Sequence, residues 1–311
     1  MITFLASPKP FKGAAYNNQI NAIRSWLNVH PNVEIILFGN SPGCAEASLS
    51  LGVKNVPAIA SSPSGVPYFE AIVSYAQKHA LYDIQIYLNS DIVVDSHILN
   101  ALKLVSFSKF LILGQRIDLP DGAVIPPEKD SWDAYLKALV QNGAILHTPP
   151  GMDYFIFPRG LWVGLEPLVI GRAGYDNALV SFCLKKDIPI IDATYAIPAL
   201  HQYHDYSHVA GKEKEVLNGE DARRNSDIHG VEHSAPNTAD ATWQIYNNKL
   251  IRNNSRGNRF RDLEIYLRYR RKMVFLGYVV RAVWRVLAAV GICRTSEIKL
   301  IDVIPQVLSK Y

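Results

Sequence analysis

The sequence predicts an α/β protein with a mixed, mostly parallel sheet flanked by helices and a helical extension at the C-terminus. Three observations predict this fold. Short apolar runs alternate with segments of helical periodicity over roughly the first hundred residues, as in βαβ units. The run at residues 84–88 is largely apolar and ends abruptly, which is typical of a buried parallel strand. After residue 256 the chain becomes basic and then strongly apolar.

The predicted elements alternate regularly in the first hundred residues and less regularly afterwards. In the first part they are strands at 2–6, 33–38, 53–59 and 84–88, and helices through Ile20 to Leu27, at 45–50 and at 68–79. In the second part they are strands at 110–114, 152–158 and 188–193, and helices at 132–141 and 175–184. We therefore expect a catalytic domain at 1–210, with halves at 1–105 and 106–210. A loop or lid at 211–256 and a basic amphipathic helical tail at 257–311 follow it.

Composition and charge exclude several classes of protein. The 311 residues are 49% hydrophobic and 19% charged, as in an ordinary globular protein. The net charge of +4 is small and concentrated in the tail, which argues against nucleic-acid binding by the main body. Three widely spaced cysteines give neither a disulfide framework nor a zinc spacing. The first apolar run is too short for a signal peptide, so a cytoplasmic protein is expected.

The tail has two interpretations. Residues 259–292 predict a nearly continuous helix, basic first and apolar later, with Arg281 and Arg285 one turn apart on one face. The apolar stretches are too short to cross a bilayer without burying those charges. A membrane-surface contact through 257–292, at the inner face of the membrane, is one interpretation. The alternative is a helix packed on the catalytic domain with both arginines in solvent.

The turn Asn89-Ser90-Asp91 is the most informative motif. It directly follows the strand at 84–88, and ligands of open α/β sheets bind at the carboxyl ends of such strands. Asn89 and Asp91 are two residues apart and point the same way. Their oxygen atoms suit a hard divalent cation, and such a cation suits a diphosphate. The turn therefore predicts a metal-assisted enzyme for a nucleotide-linked substrate.

With this turn, the chain resembles the GT-A-fold glycosyltransferases, and family-2-like nucleotide-diphospho-sugar transferases in particular, over roughly residues 2–210. The resemblance implies a hexosyltransferase-like enzyme that uses Mn²⁺ or Mg²⁺, a nucleotide-diphosphate-sugar donor and a glycan or lipid-linked acceptor. Surface glycan or glycolipid synthesis would be its setting. The matching segments are Phe4-Leu-Ala-Ser-Pro8, residues 18–26, Ile36-Leu-Phe-Gly39, Gly65-Val-Pro67, residues 151–158, 175–179 and 201–208.

The resemblance gives Asp91 the role of direct metal ligand, next to the donor diphosphate. The family usually has aspartate at both ends of this turn, whereas this chain has Asn89 at the first. Asn89 can still offer a carbonyl oxygen or hold a ribose hydroxyl, but the loss of one charge should weaken the metal site. The alternative for Asp91 is a capping role at the next helix. Ser7, Pro8 and Ser90 are expected to contact the nucleotide.

Two further carboxylates match the acceptor side of the family. Asp176 would act as the general base in an inverting enzyme. It could equally be a first-turn carboxylate that interacts with the dipole of its helix. Asp153 is the rival carboxylate and could bind acceptor or donor hydroxyls, its alternative being a loop hydrogen bond. The sequence alone does not decide between the catalytic and structural roles of Asp153 and Asp176.

Three histidines, at 201, 204 and 208, follow at spacings of three and four. By the resemblance, His201 or His204 would be a further metal ligand. A zinc site is the runner-up, and for each histidine alone a surface position is the simpler interpretation. Lys9, Lys12, Arg24 and Arg172 could meet phosphate, although a single basic side chain is more simply explained as solvated.

Two functions compete with glycosyl transfer. The first is an inactive GT-A-like protein that binds nucleotide sugars or acts as a scaffold, which the Asn89 departure suggests. The second is a sugar nucleotidyltransferase. That class carries a glycine- and arginine-rich loop after its first strand, whereas residues 7–13 contain one glycine and no arginine. Glycosyl transfer is therefore the leading prediction.

Overall fold

The computed structural model describes residues 1–126, 132–204, 212–229, 235–253, 256–291 and 298–308. The strands are β1 (Ile2–Ala6), β2 (Glu34–Phe38), β3 (Lys54–Val56), β4 (Ile84–Leu88), β5 (Ile92–Val93), β6 (Leu111–Leu113), β7 (Ile117–Asp118), β8 (Ile145–Leu146), β9 (Tyr154–Pro158), β10 (Ile190–Asp192), β11 (Leu200–His201), β12 (Trp243–Tyr246) and β13 (Lys249–Arg252). The helices are α1 (Gly13–Leu27), α2 (Cys44–Leu51), α3 (Phe69–His79), α4 (His97–Lys103), α5 (Trp132–Leu139), α6 (Tyr175–Lys185), α7 (Lys212–Asn218), α8 (Glu220–His229), α9 (Arg256–Ile265), α10 (Val274–Ala289) and α11 (Leu300–Leu308).

Nine strands form one large mixed sheet, in the order β13-β12-β10-β6-β9-β4-β1-β2-β3. β1 pairs in parallel with β2 and β4, while β9 runs antiparallel to its neighbours β4 and β6. Toward one edge, β10 pairs in parallel with both β6 and β12. The predicted mixed, mostly parallel sheet is confirmed.

Buried apolar clusters cover both faces of this sheet. Successive residues of β1 point to opposite faces, and accordingly Phe4 belongs to one cluster and Leu5 to the other. On the first face, Trp26 of α1 is fully buried and its ring stacks on Phe4 with centroids 5.7 Å apart. On the second face, Phe69 of α3 packs there with residues of α6. Full burial of such side chains contributes about 1.5–3 kcal/mol each, so helices hold the central strands from both sides.

The antiparallel strand β9 brings two polar positions together. The last residue of β4, Leu88, pairs with the first residue of β9, Tyr154. Asn89 follows β4 and Asp153 precedes β9. Their side chains therefore meet at the carboxyl edge of the sheet. Ser7, which follows β1, lies at the same edge because β1 and β4 are parallel.

A second sheet consists of four short strands in the order β5-β11-β7-β8. Its strand β5 begins directly after the turn Asn89-Ser90-Asp91. His201 of β11 pairs with Ile92 of β5 on one side and with Asp118 of β7 on the other. Ile92 directly follows Asp91. The small sheet thus carries His201 to a position between Asp91 and Asp118, residues that are far apart in the sequence.

The segment at 211–256 differs from the predicted loop. Its described residues form α7, α8, a 3₁₀ turn (Thr238–Asp240) and the strands β12 and β13, which extend the large sheet. The side chain of Asn225 in α8 explains part of this order. Its amide accepts from the backbone N–H of Val169 at 2.8 Å and donates to the carbonyl of the same residue at 2.9 Å. These two bonds attach a polar helix to the core.

The tail also differs from the predicted continuous helix. α9 is followed by a π-helical segment (Tyr266–Arg270), and the chain then reverses before α10 begins. Lys272, at this reversal, has a φ of 55°, in the left-handed region. Arg281 is buried and Arg285 is exposed, so the alternative of a packed helix with both arginines in solvent is wrong for Arg281. Within the described residues, no helix is long and apolar enough to span a membrane. Residues 292–297 and 309–311 of the predicted tail lie outside the described residues.

Candidate active site

A cleft of about 1150 Å³ opens at the carboxyl ends of β1 and β4. The turn after β4, the start of α6 and part of α7 all line this cleft. Gly174, at the start of α6, has a φ of 88°, a conformation that glycine adopts without strain. The predicted site residues that line the cleft are Ser7, Pro8, Asn89, Ser90, Asp91, Asp153, Asp176, His201 and His204.

Asp91 lies at the floor of the cleft and is only 2% exposed. Its Oδ2 is 2.7 Å from Nζ of Lys9 and 3.0 Å from Nε2 of His204. Burial by itself would raise the pKa of Asp91, but the Lys9 ammonium and the two histidines hold it well below its usual range. Its Oδ1 is buried and has no hydrogen-bond partner among the described residues. Asp91 is therefore an ionised carboxylate with one free ligand atom.

His201 and His204 turn their Nε2 atoms toward Asp91. These two nitrogen atoms are 3.3 Å apart, and Nδ1 of His201 donates to Oδ1 of Asp118 at 3.1 Å. That bond leaves Nε2 of His201 without a proton in the neutral ring, as a metal ligand requires. His208, the third predicted histidine, lies outside the described residues.

These three residues fit a divalent cation. One ligand atom from each of Asp91, His201 and His204 lies within 4.8 Å of the other two. Neighbouring ligands of a six-coordinate ion, each about 2.1 Å from the metal, are about 3 Å apart, and the 3.0 Å and 3.3 Å separations match this value. A carboxylate with two imidazoles suits Mn²⁺ and related transition ions better than Mg²⁺, which prefers oxygen. Oδ1 of Asp91, which has no hydrogen-bond partner among the described residues, could serve as a further oxygen ligand.

Asn89 faces Asp153 instead of this cluster. Its side-chain amide donates to Oδ1 of Asp153, and its backbone N–H donates to the carbonyl of Asp153 at 3.0 Å. The other carboxylate oxygen of Asp153 accepts from Nη1 of Arg116 at 2.7 Å. An asparagine can donate to a carboxylate where an aspartate would repel it, so Asp153 favours an amide at position 89.

Asp176 lies in the first turn of α6, on the wall of the cleft. The backbone N–H of Asn177 donates to its Oδ1 at 2.8 Å, so the predicted helix-start position is observed. Removal of this carboxyl from water, followed by the nearby charge of Asp153, raises its pKa to about 7. A carboxyl with such a pKa exchanges protons near neutral pH, as a general base does.

The nucleotide-binding candidates Ser7, Pro8 and Ser90 line the same cleft as Asp91. Ser7 lines both the main cleft and a connected recess of about 710 Å³, whose floor is formed by residues that follow β2 and β3. The carbonyl of Pro8 accepts from the hydroxyl of Ser41 at 2.7 Å. The hydroxyl of Ser90 is buried and bonds Gln19 at 2.8 Å. Ser90 therefore supports the turn from within.

Sequence reasoning missed the residues around Asp118. This carboxylate accepts from Nδ1 of His147 at 2.6 Å and from Nε of Arg116 at 2.8 Å, in addition to His201. Burial alone would raise the pKa of Asp118. The hydrogen bonds from the two histidines and the charge of Arg116 nevertheless hold this pKa well below its usual range. Arg116 and Asp118 are two residues apart just after a predicted strand, and this spacing was the available signal.

No protein-family model and no curated protein matches the chain. Among solved structures, TarS from S. aureus in complex with UDP matches at 11% identity and a TM-score of 0.34, over 65% of this chain and 57% of that chain. Glucosyl-3-phosphoglycerate synthase from M. tuberculosis matches at 12% identity and 0.43, over 75% and 82%. The glycosyltransferase GlyE from Streptococcus pneumoniae matches at 15% identity and 0.27, over 52% and 34%. The chain thus spans less than two thirds of the TarS and GlyE chains. With TM-scores below 0.5, the function proposed for this chain depends on the geometry of its cleft.

Proposed function

We propose that this protein is a glycosyltransferase that moves a hexose from a nucleotide-diphosphate-sugar donor to a hydroxyl group of a glycan or a lipid-linked carrier. One arrangement carries this proposal: Asp91 and two histidines form a cation site at the carboxyl edge of the sheet, in the same cleft as a carboxylate of raised pKa. Ligands bind at this edge in open α/β sheets. The recess next to Ser7 offers room for a nucleoside beside the cation site.

Asp91, His201 and His204 would hold Mn²⁺, or Mg²⁺, next to the diphosphate. A divalent cation there supplies Lewis-acid stabilisation of the charge that develops on the leaving nucleoside diphosphate. His201 keeps its Nε2 available because its Nδ1–H donates a hydrogen bond to Asp118.

Asp176 acts on the acceptor side. Its carboxylate accepts the proton of the attacking hydroxyl as that oxygen bonds to the anomeric carbon and the bond from this carbon to the diphosphate breaks. Asp153 is held by Asn89 and Arg116 and is therefore already occupied by two donors. Asp153 accordingly orients the site, and Asp176 is the base. Attack from the face opposite the diphosphate would invert the anomeric configuration.

The proposal is tested by turnover. UDP-, GDP- and dTDP-linked sugars are incubated with the protein with and without Mn²⁺, and release of the nucleoside diphosphate is measured. The proposal predicts release from at least one donor, loss of that release in Asp91→Asn, and no loss in Asp121→Asn, whose side chain is exposed. Nucleotide release that persists in Asp91→Asn would contradict the role assigned to the cation site. Nucleotide binding without any release would favour the inactive binding protein, for which the engagement of Asn89 with Asp153 is the motivating observation.

A further inference from the structure

Helix α10 presents its polar side to the protein. Arg281 is buried in the contact with α9, where its Nε donates to Oε2 of Glu264 at 3.1 Å and its Nη2 lies 2.9 Å from Oε1. Nη1 of Arg268 donates to the same Oε1 at 2.8 Å. Gly277, one turn before Arg281, is also buried. A Cβ atom at this position would clash with the side chain of Arg268. This ion-paired side therefore fixes the rotation of the helix.

The opposite side of α10 is apolar and faces outward. Its most prominent members recur at intervals of four, four, three and four residues, which places them on one helical face. Their exposed fractions are large for apolar side chains: Phe275 76%, Val279 43%, Val283 45%, Val286 63% and Val290 64%. An ordinary surface helix turns such a stripe toward the core, whereas this helix leaves its apolar stripe exposed in the described part of the chain.

Positive charge surrounds this stripe. Arg271 and Lys272 are exposed just before the helix begins, and Arg285 is exposed on its flank. The sequence from 265 to 296 contains no aspartate or glutamate. Tyr278, which is 40% exposed, lies on the same flank as Arg285 and adds an aromatic ring of the kind that is enriched at membrane interfaces.

We propose that α10 lies in the plane of an anionic lipid bilayer, with the stripe of Phe275 and the four valines inserted among the acyl chains. The basic residues then contact the lipid headgroups, each by an attraction that falls off within a Debye length. Helices with an apolar face and basic flanks bind membranes in this way. A second copy of the chain is a poorer occupant. A contact of this face with its own copy would bring two basic stretches that lack acidic residues together, and like charges repel.

Vesicle co-sedimentation of the full-length protein tests this inference. Wild-type protein is expected to sediment with phosphatidylcholine vesicles that contain phosphatidylglycerol, and to remain in solution with pure phosphatidylcholine. The double variant Phe275→Ser/Val286→Ser removes two exposed side chains and is expected to bind about tenfold less. Leu49→Ser is the matched control, because Leu49 is 86% exposed on α2 and should not affect binding. Equal melting temperatures of the three proteins show that the variants fold.

Three results would overturn the inference. The first is wild-type protein that does not sediment with anionic vesicles. The second is a double variant that binds as well as the wild type. The third is a concentration-dependent dimer in analytical ultracentrifugation that the double variant lacks, together with no vesicle binding, since a second copy would then cover the stripe. The inference does not depend on glycosyl transfer, because none of these measurements involves turnover.

Discussion

The ammonium nitrogen of Lys9 lies 2.7 Å from Oδ2 of Asp91 and 3.0 Å from Nε2 of His204. Two of the three candidate metal ligands therefore bind a side-chain cation of the protein itself. A divalent cation that uses the same atoms must displace the Lys9 ammonium, since two positive charges cannot share one carboxylate oxygen at this distance. Lys9 also lines the cleft, so its displaced ammonium can reach the phosphates of a bound donor. The sequence-based view of Lys9 as a solvated side chain was wrong.

Replacement of Lys9 should strengthen metal binding. In Lys9→Met the competing cation is gone, and we expect Mn²⁺ to bind about tenfold more tightly, since the loss of one strong competing contact corresponds to about 1.4 kcal/mol. Binding of UDP in the presence of Mn²⁺ should weaken, because a phosphate contact is lost. Electron paramagnetic resonance of free Mn²⁺ measures the first effect and calorimetry the second. Lys12→Met, at a nearby exposed residue, should change neither. Weaker Mn²⁺ binding in Lys9→Met would contradict the competition.

Replacement of Asn89 by aspartate should destabilise this protein. Asn89→Asp places a carboxylate against Oδ1 of Asp153, which also loses its donor. We expect the free energy of unfolding to fall by about 1–3 kcal/mol near pH 8, and by less near pH 4, where one carboxyl is protonated. Urea denaturation at both pH values measures this loss. Asn89→Ala removes the donor without adding charge, and its smaller loss should not depend on pH. Equal losses for Asn89→Asp at the two pH values would rule out the repulsion.

Asp118 should act on metal binding through His201. In Asp118→Asn the partner of Nδ1 no longer carries a charge and no longer fixes which ring nitrogen is protonated. We expect Mn²⁺ affinity to fall by about 10–100-fold, the usual effect of such outer partners. A paramagnetic resonance titration without any substrate measures this affinity, so a change in turnover cannot be mistaken for it. Asp121→Asn, three residues later and exposed, should bind Mn²⁺ as the wild type does. Unchanged affinity in Asp118→Asn would remove Asp118 from the metal site.

Asp176 should give the transfer rate its dependence on pH. A base acts in its ionised form, and the pKa of Asp176 is about 7. The rate is therefore expected to rise with pH through about 7 and to level off above it. Asp176→Asn should lower the rate by about 100–10,000-fold and abolish this rise. Initial rates across the pH range measure both. A rise through pH 7 that persists in the variant would assign the base to another residue.

The same carboxyl should also affect stability, with a sign that follows from its pKa. Because the folded protein raises the pKa of Asp176 from 3.8 to about 7, folding favours the protonated form. Its contribution to stability is present below the unfolded pKa and is lost as the pH rises through about 7. Asp176→Asn should therefore melt at a higher temperature than the wild type near pH 8 and not near pH 4. The exposed Asp227 provides the control, because Asp227→Asn should show no such difference.

Local sequence patterns were sufficient for the elements that carry Asp91 and Asp176. The apolar run of β4 ends in a polar turn, and the helical periodicity of α6 begins beside Asp176. Both signals lie within a few residues of the site they predict. The central strands and the mixed sheet could be predicted for the same reason.

Long-range pairings were not visible in these patterns. His201 contacts Asp118 through the pairing of β11 with β7, and these residues are 83 positions apart. The ion pair between Arg281 and Glu264, which are separated by a chain reversal, determines which side of α10 faces the protein. The periodicity of the tail indicates only that one face of this helix is apolar. α7 and α8 were missed because their composition is polar, and α8 is held by hydrogen bonds from the side chain of Asn225 to the backbone of Val169.

Binding of UDP with Mn²⁺ tests the central proposal most directly. The melting temperature is measured for the wild type, Asp91→Asn and Asp121→Asn with Mn²⁺ alone, UDP alone and both together. A ligand that binds the native state at about one hundred times its dissociation constant stabilises it by about 2.7 kcal/mol, which is a shift of a few degrees. We predict that the wild type and Asp121→Asn shift upward most with both ligands and that Asp91→Asn loses the Mn²⁺-dependent part. GDP, dTDP and CMP under the same conditions cover the other donor bases. If no nucleotide raises the melting temperature of the wild type with or without Mn²⁺, the proposed nucleotide-sugar site does not exist.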